Sequence, residues 1–222
     1  MIATNLSDAK LAEQCGVDRI ELSPSMLELG ITPSMGLIES VLEEVRIPFN
    51  VMIRPHSQSF VYNRDDIRVM QRDIAHVRDL GVNGIVLGGL TAEKEIDVYF
   101  LEKMLEVSGD LEITFHKAFD EVPDQLVALE TLMQYEQVMT IATSGGIGGA
   151  CDNEANLRQL IAETRGSHLS IMIAGGLTMD NCAAFKDRVQ PDVVHFGSGV
   201  RIDNSYLQPL DEKKIQYVRS IF

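Results

Sequence analysis

The stretch "LEITFHKAFD" (residues 111–120) decides how the chain is read. Its first six residues alternate: Leu111, Ile113 and Phe115 are apolar, whereas Glu112, Thr114 and His116 are polar. Successive side chains of a β-strand point to opposite faces, so this run is a strand with one apolar and one polar face. Lys117 and Asp120 follow at once, which gathers His116, Lys117 and Asp120 where a buried strand ends. Such a cluster either forms a site or only satisfies the end of the strand, and the architecture separates the two.

Similar apolar runs lie on either side: "DRIEL" (18–22), "FNVMIR" (49–54), "GIVLG" (84–88), "VMTIAT" (138–143), "LSIMIAG" (169–175) and "VVHFG" (193–197), with "MIAT" (1–4) as a clipped eighth. Helical periodicity fills the gaps. In "TPSMGLIESVLEEV" Thr32 reads as the N-cap and Pro33 as the first helical residue. In "NRDDIRVMQRDIAHVRDLG" Asn63 reads as the cap and Gly81 as the stop. "VPDQLVALETLMQY", "DNEANLRQLIAET", "TMDNCAAFKDRV" and "DEKKIQYVRSIF" carry the same pattern. Strand followed by helix, repeated, signals a parallel sheet. Eight such units in 222 residues predict an α/β fold: one (β/α)8 TIM barrel, a single domain over residues 1–222. A doubly wound sheet is the alternative, but no GxGxxG follows the first strand.

Composition narrows the function. The chain is 45% apolar and 23% charged, an ordinary globular balance, and its net charge is -14. Nucleic acid is not the expected partner, because phosphate backbones need clustered Lys and Arg. No apolar run approaches the ~18 residues of a membrane span, and no signal segment opens the sequence. The three cysteines, Cys15, Cys151 and Cys182, are far apart, which suits reduced thiols in the cytoplasm.

The same alternation sorts the other strands. Ile20 and Leu22 oppose Arg19 and Glu21; Phe49, Val51 and Ile53 oppose Asn50, Met52 and Arg54. With the apolar sets against the helices, the lumen holds Arg19, Glu21, Asn50, Arg54, Glu112, Thr114 and His116. Unpaired buried charges cost several kcal/mol, so these groups must pair with one another or meet water or ligand. In the lower layers, an ion network of Arg19 with Glu21 or Glu112 satisfies that need. Arg54 and His116 end their strands at the barrel face where sites are built. Past the last strands, Gly175, Gly176, Gly197, Ser198 and Gly199 read as a backbone site for a phosphate, with Arg201 as an extra cation, and Gly145 and Gly146 add to the rim. Tight turns that merely need glycine are the plainer reading of the same residues.

The stretches "GVDRIELS", "GITPSMG", "VMIRP", "FVYN", "TFHKAFD", "TSGG" and the glycine pair after the seventh strand together resemble the CutC family, named for copper homeostasis. The resemblance runs over nearly the whole chain. It implies a cytoplasmic barrel, usually a homo-oligomer (dimer or tetramer), whose pocket uses Glu21, Arg54, His116, Asp120 and His195. Ser23 stands where the family has a cysteine in "RIELC", and "MIAT" lacks the cysteine of the first strand. His56 and Ser59 replace Arg and Asp of "RPR.GDF", and Lys117 replaces Arg of "HRAFD". Copper, the cofactor that the resemblance implies, prefers soft thiolate or thioether ligands, and the two thiols best placed for it are missing. No metal ligands are assigned: His56, His116 and His195 lack the spacing of a metal motif, and the methionines read as packing.

Two function classes stay open. One is an enzyme acting on a small anionic or phosphorylated molecule at the C-terminal mouth. Arg54 would orient an oxyanion, His116 would act as general acid or base, and Glu21 or Asp120 would orient the imidazole or act as partner base. His56, His195 and Thr114 would complete the binding site with the glycine loops. Lys117 should point outward if the strand's alternation continues. The other class is a copper-binding protein, and a degenerate barrel without activity is a third outcome.

Overall fold

The computed structural model describes residues 1–222 and is a single (β/α)8 TIM barrel. Its strands are β1 (Ile2–Ala3), β2 (Ile20–Leu22), β3 (Phe49–Met52), β4 (Gly84–Leu87), β5 (Glu112–Phe115), β6 (Val138–Thr143), β7 (Ser170–Ala174) and β8 (Val193–His195). The helices are α1 (Leu6–Gln14), α2 (Met35–Glu44), α3 (Arg64–Asp79), α4 (Val98–Ser108), α5 (Gln125–Leu132), α6 (Glu154–Glu163), α7 (Cys182–Val189) and α8 (Glu212–Ile221). Each strand pairs in parallel with the next, in the order β1 to β8. The seam between β8 and β1 is bridged by the Ile2 N–H, which donates to the Phe196 carbonyl at 2.9 Å. No helix is long and apolar enough to cross a membrane.

The alternating strands explain this closure. Ile20, Leu22, Phe49, Val51, Ile53, Ile113 and Phe115 are all buried in the main core between the strands and helices. Burying each such side chain contributes roughly 1.5–3 kcal/mol. The opposite faces form the lumen, where Glu21, Asn50, Arg54, Thr114 and His116 are buried. A smaller apolar cluster of Ala142, Met172 and Ala174 fills part of the same interior. Low in the barrel, Arg19 Nη1 meets Glu112 Oε2 at 3.4 Å, so the predicted lower ion network is this pair.

Helix starts follow their caps. Asn63 caps α3, its side chain accepting from Asp65 and Asp66 while Asp66 reaches back to the Asn63 N–H. The chain leaves α3 through Gly81 at φ 77°, a left-handed turn that suits glycine. The start of α2 differs from the expectation. Its cap is Ser34, which accepts from the Leu37 N–H, and the helix begins at Met35. Thr32 Oγ1 instead accepts the Arg54 N–H at 2.9 Å, tying the loop before α2 to the end of β3.

One buried ion pair spans the seam. Arg201, after β8, is 1% exposed and donates to Asp8 of α1 at 2.5 Å, to the Gln208 carbonyl at 2.9 Å and to Thr4 Oγ1 at 3.4 Å. Asp8 also accepts from the Thr4 N–H at 3.0 Å and the Thr4 hydroxyl at 2.7 Å. Arg201 is thus a structural clasp, not the extra phosphate cation expected of it.

Candidate functional site

A cavity of about 680 Å3 opens at the C-terminal mouth. Of the predicted site residues, Glu21, His116, Asp120, His195, Gly175, Gly176, Gly197 and Ser198 line it together. Arg54, His56 and Thr114 do not. Thr114 lies in the lumen, where its hydroxyl accepts from Asn50 Nδ2 at 3.3 Å. His56 is outside the barrel interior, its Nε2 at 3.4 Å from Asp66 Oδ2, beside a separate small pocket.

Arg54 is buried behind the cavity wall. Its Nη1 donates to the carbonyls of Glu28 at 2.5 Å and Gly30 at 2.9 Å, and its guanidinium lies 4.9 Å from the centre of the Phe60 ring. Nη1 of the fork that alternation assigned to an oxyanion is taken by the loop between β2 and α2, while Nε is buried without a partner. Burial pushes the neighbouring Tyr62 phenol up to about 12 despite that guanidinium.

His116 packs against Phe60, with ring centres 4.8 Å apart. Its Nδ1 accepts the Ala118 N–H at 3.1 Å, because the chain leaves β5 directly into a short 3-10 turn over Lys117–Glu121 that His116 caps. Its Nε2 has no partner in the protein. Burial, and then the Arg54 charge, lower its pKa to about 3. Neither carboxylate expected to orient the imidazole does so; a backbone N–H does.

Asp120 is an anchor. Its carboxylate accepts from the Thr143 and Ser144 hydroxyls, from the N–H groups of Ser144 and Gly146, and from Gln125. These bonds fold the loop after β6 over the mouth. Asp120 also takes the Lys117 ammonium, which donates to Ser144 Oγ at 2.6 Å as well. Lys117 therefore turns into the mouth, contrary to the outward direction expected of it, because the strand has ended and a 3-10 turn does not alternate. The Lys117 Nζ comes so near Gly175 that a Cβ there would lie 3.1 Å from it.

Gly175 and Gly176 have φ of 101° and 80°, a backbone path that L side chains rarely take. The N–H groups of Gly175, Gly176, Leu177 and Gly197 donate to no acceptor in the protein. On the wall formed by β2 and β8, Glu21 Oε2 stands 3.4 Å from His195 Nε2. That geometry resembles an ion pair, yet burial holds the His195 imidazole well below its ordinary value and raises the Glu21 carboxyl. Burial is the largest cause of both shifts, and each moves its group toward the uncharged form. A second cavity, of about 530 Å3 at the opposite end of the barrel, shares Glu21 and His195 with the mouth.

The donor set does not fit a copper(I) thiolate site. Cys15 and Cys182 are buried, and no cysteine lines the mouth. No three His, Cys, Asp or Glu side chains converge where a metal could be held. Two methionines pack around Gly30: a Cβ there would lie 3.3 Å from Met26 Sδ and 3.5 Å from Met52 Cε. Both line the mouth with His116. With Nδ1 accepting the Ala118 N–H, however, the neutral ring carries its proton on Nε2 and offers the cavity no lone pair.

The sequence model of the CutC family matches residues 1–200. The CutC family protein of Mesorhizobium japonicum is 36% identical over 187 residues, 84% of this chain and 72% of that protein. Its counterpart in Yersinia pestis is 37% identical over 179 residues, 81% of this chain and 70% of that protein. Among solved structures, CutC of Streptococcus agalactiae, named for copper homeostasis, superposes with a TM-score of 0.81 at 30% identity, covering 88% of this chain and 95% of that one. Phosphoribosyl anthranilate isomerase of Thermococcus kodakaraensis superposes with a TM-score of 0.65 at 17% identity, covering 99% of this chain and 96% of that one, a likeness of fold alone. The extent of the family match and the identity of these relatives agree: this chain belongs to the CutC family.

Proposed function

We propose that the chain binds and acts on a small phosphorylated molecule in its mouth cavity. One observation carries this reading: the free N–H groups of Gly175, Gly176, Leu177 and Gly197 line one side of the cavity, with the Lys117 ammonium beside Gly175. Backbone N–H groups and one cation suit the oxygens of a phosphate, and they do so locally in a chain of net charge -14. His116, Glu21 and His195 line the rest of the cavity and would face the remainder of the ligand. Copper handling, after which the Streptococcus agalactiae relative is named, is the second reading; the Met26–Met52 pair favours it and the absent thiols oppose it. The same proposal takes the protein as cytoplasmic, in keeping with its free cysteines, and as a homo-oligomer, which light scattering tests.

The experiment is a titration of the 15N-labelled protein with inorganic phosphate. The amide signals of Gly176, Leu177 and Gly197 are expected to move together. A charge-assisted hydrogen bond contributes about 1.5–3 kcal/mol, so Lys117→Met should weaken binding roughly tenfold or more. Glycine amides that stay still at saturating phosphate refute the proposal.

A further inference from the structure

The mouth holds one group whose role can be taken further. We infer that His116 is a fixed, uncharged hydrogen-bond donor, and that its Nε2–H takes a carbonyl oxygen of the bound molecule. The inference rests on the reading that this molecule is a small phosphate ester and narrows its class to those that carry a carbonyl group.

The geometry supplies each step. Nδ1 accepts the Ala118 N–H at 3.1 Å, so in the neutral ring the proton sits on Nε2. The ring cannot turn over without losing that bond. It is wedged between Phe60 and the bare Cα of Gly88, where a Cβ would come within 2.6 Å of Nδ1. Nε2 is buried, lacks any acceptor in the protein, and belongs to a side chain that lines the mouth cavity. A buried donor left in that state is unfavourable, and a ligand acceptor relieves it.

The surroundings keep the ring neutral. Arg54, from the end of β3, is the charged group behind it, and its cation opposes a second positive charge. Phe115 and Phe60 supply apolar walls, and Asn50 and Thr114 lie below without charge. Across the cavity stand Glu21 and His195, which face each other at 3.4 Å. Lowered to about 3, the ring is neither acid nor base at neutral pH. The general acid–base role expected from the sequence is replaced by that of a donor that polarises an oxygen, stabilising charge that develops there.

A carbonyl is the acceptor that fits. The full negative charge of a phosphate finds Lys117 and the glycine N–H groups in the same cavity, whereas the His116 ring itself packs on apolar Phe60, and Met52 and Val86 add to the apolar lining. A hydroxyl would bring a proton of its own to place. A carbonyl oxygen only accepts.

The test is 15N NMR of histidine-labelled protein. Without ligand, His116 is expected to show protonated Nε2, bare Nδ1 and no titration down to pH 5. A proton on Nδ1, or a midpoint near the free-imidazole value of ~6.5, overturns the inference. The probes are then dihydroxyacetone phosphate and inorganic phosphate. The His116 Nε2 signal should move with the first and stay with the second, while the glycine amides respond to both. If inorganic phosphate moves Nε2 equally, His116 belongs to the phosphate site and the carbonyl assignment fails. If the glycine amides respond and Nε2 stays still with both probes, His116 is no ligand donor. If the glycine amides are silent, the phosphate reading itself falls and takes the carbonyl assignment with it, whereas the tautomer result still judges the fixed neutral ring.

Discussion

Removing the Arg201 guanidinium, as in Arg201→Met, should cost this barrel about 3 kcal/mol. Breaking a buried ion pair from one side costs about 3–5 kcal/mol, because the remaining charge stays buried without its partner. Here the remaining charge is Asp8, which is 4% exposed and keeps the Thr4 N–H at 3.0 Å and the Thr4 hydroxyl at 2.7 Å. Those two bonds place the cost at the lower end of the range. For a domain of this size each kcal/mol moves the melting midpoint by about 2–4 °C, so the variant should melt about 6–12 °C lower. The reverse change, Asp8→Ala, should cost more, since Arg201 would keep the Gln208 carbonyl but lose its only anion. Thermal and urea unfolding followed by circular dichroism measure both. A loss below about 1 kcal/mol, the range of exposed pairs, would show that the clasp is solvated and the reasoning wrong. Below its melting range, Arg201→Met should bind inorganic phosphate as the unmodified chain does, because Arg201 does not line the mouth.

Other outcomes follow from the same geometry. His116 and His195 both have folded pKa values below the ordinary one, so the unfolded chain takes up protons first as pH falls. Stability should therefore drop as pH is lowered from ~6.5 towards 4, by about 1.4 kcal/mol per pH unit for each histidine fully in that window. Glu21, raised by burial, works in the opposite sense above the ordinary carboxylate range, and His116→Gln should remove one histidine's share of the slope. Gly199→Ala should be costlier than Gly197→Ala in a melting assay. A Cβ on Gly199 would lie 2.0 Å from the Leu177 carbonyl oxygen, which is backbone, whereas one on Gly197 meets the tip of Tyr206 at 1.9 Å, which can swing away. Copper(I) should pass from the unmodified chain to a strong chelator, and Ser23→Cys tests whether the missing thiol is the reason; stoichiometric copper that survives the chelator in the unmodified chain would return copper handling to first place.

Alternation along short strands was enough to foresee the barrel and the residues of its lumen, because a period of two is local information. "VMTIAT" matches β6 residue for residue, and Asn63 caps α3 as its sequence indicates. What alternation could not supply is what each polar group bonds to. Alternation places Arg54 in the lumen, but its partners, the carbonyls of Glu28 and Gly30, lie in a loop whose path depends on the folded barrel. The strand's period, carried one residue too far, sends Lys117 outward; the chain enters a 3-10 turn there, and the ammonium swings back to Asp120. Thr32 looked like a cap because threonine before proline commonly is one, yet Ser34 competes two residues on. The stretches of helical periodicity do not include α1 and α4, although Asn5 and Asp97 cap them in the ordinary way. The convergence of Met26 and Met52 beside Gly30 has no periodic signature at all.

The seam between β8 and β1 has a kinetic consequence. Glu21 is in register with Ile2, and His195 immediately precedes Phe196, so the pair flanks the bond that joins the last strand to the first. Edges with few hydrogen bonds open most often in local fluctuations. Each time Ile2 parts from Phe196, the opening widens beside Glu21 and His195, which already line the lower cavity. Hydrogen exchange at the Ile2 amide should thus outpace exchange in β4 to β7. Because Glu21 and His195 line both cavities, a seam that breathes here would join the floor of the mouth to the lower cavity.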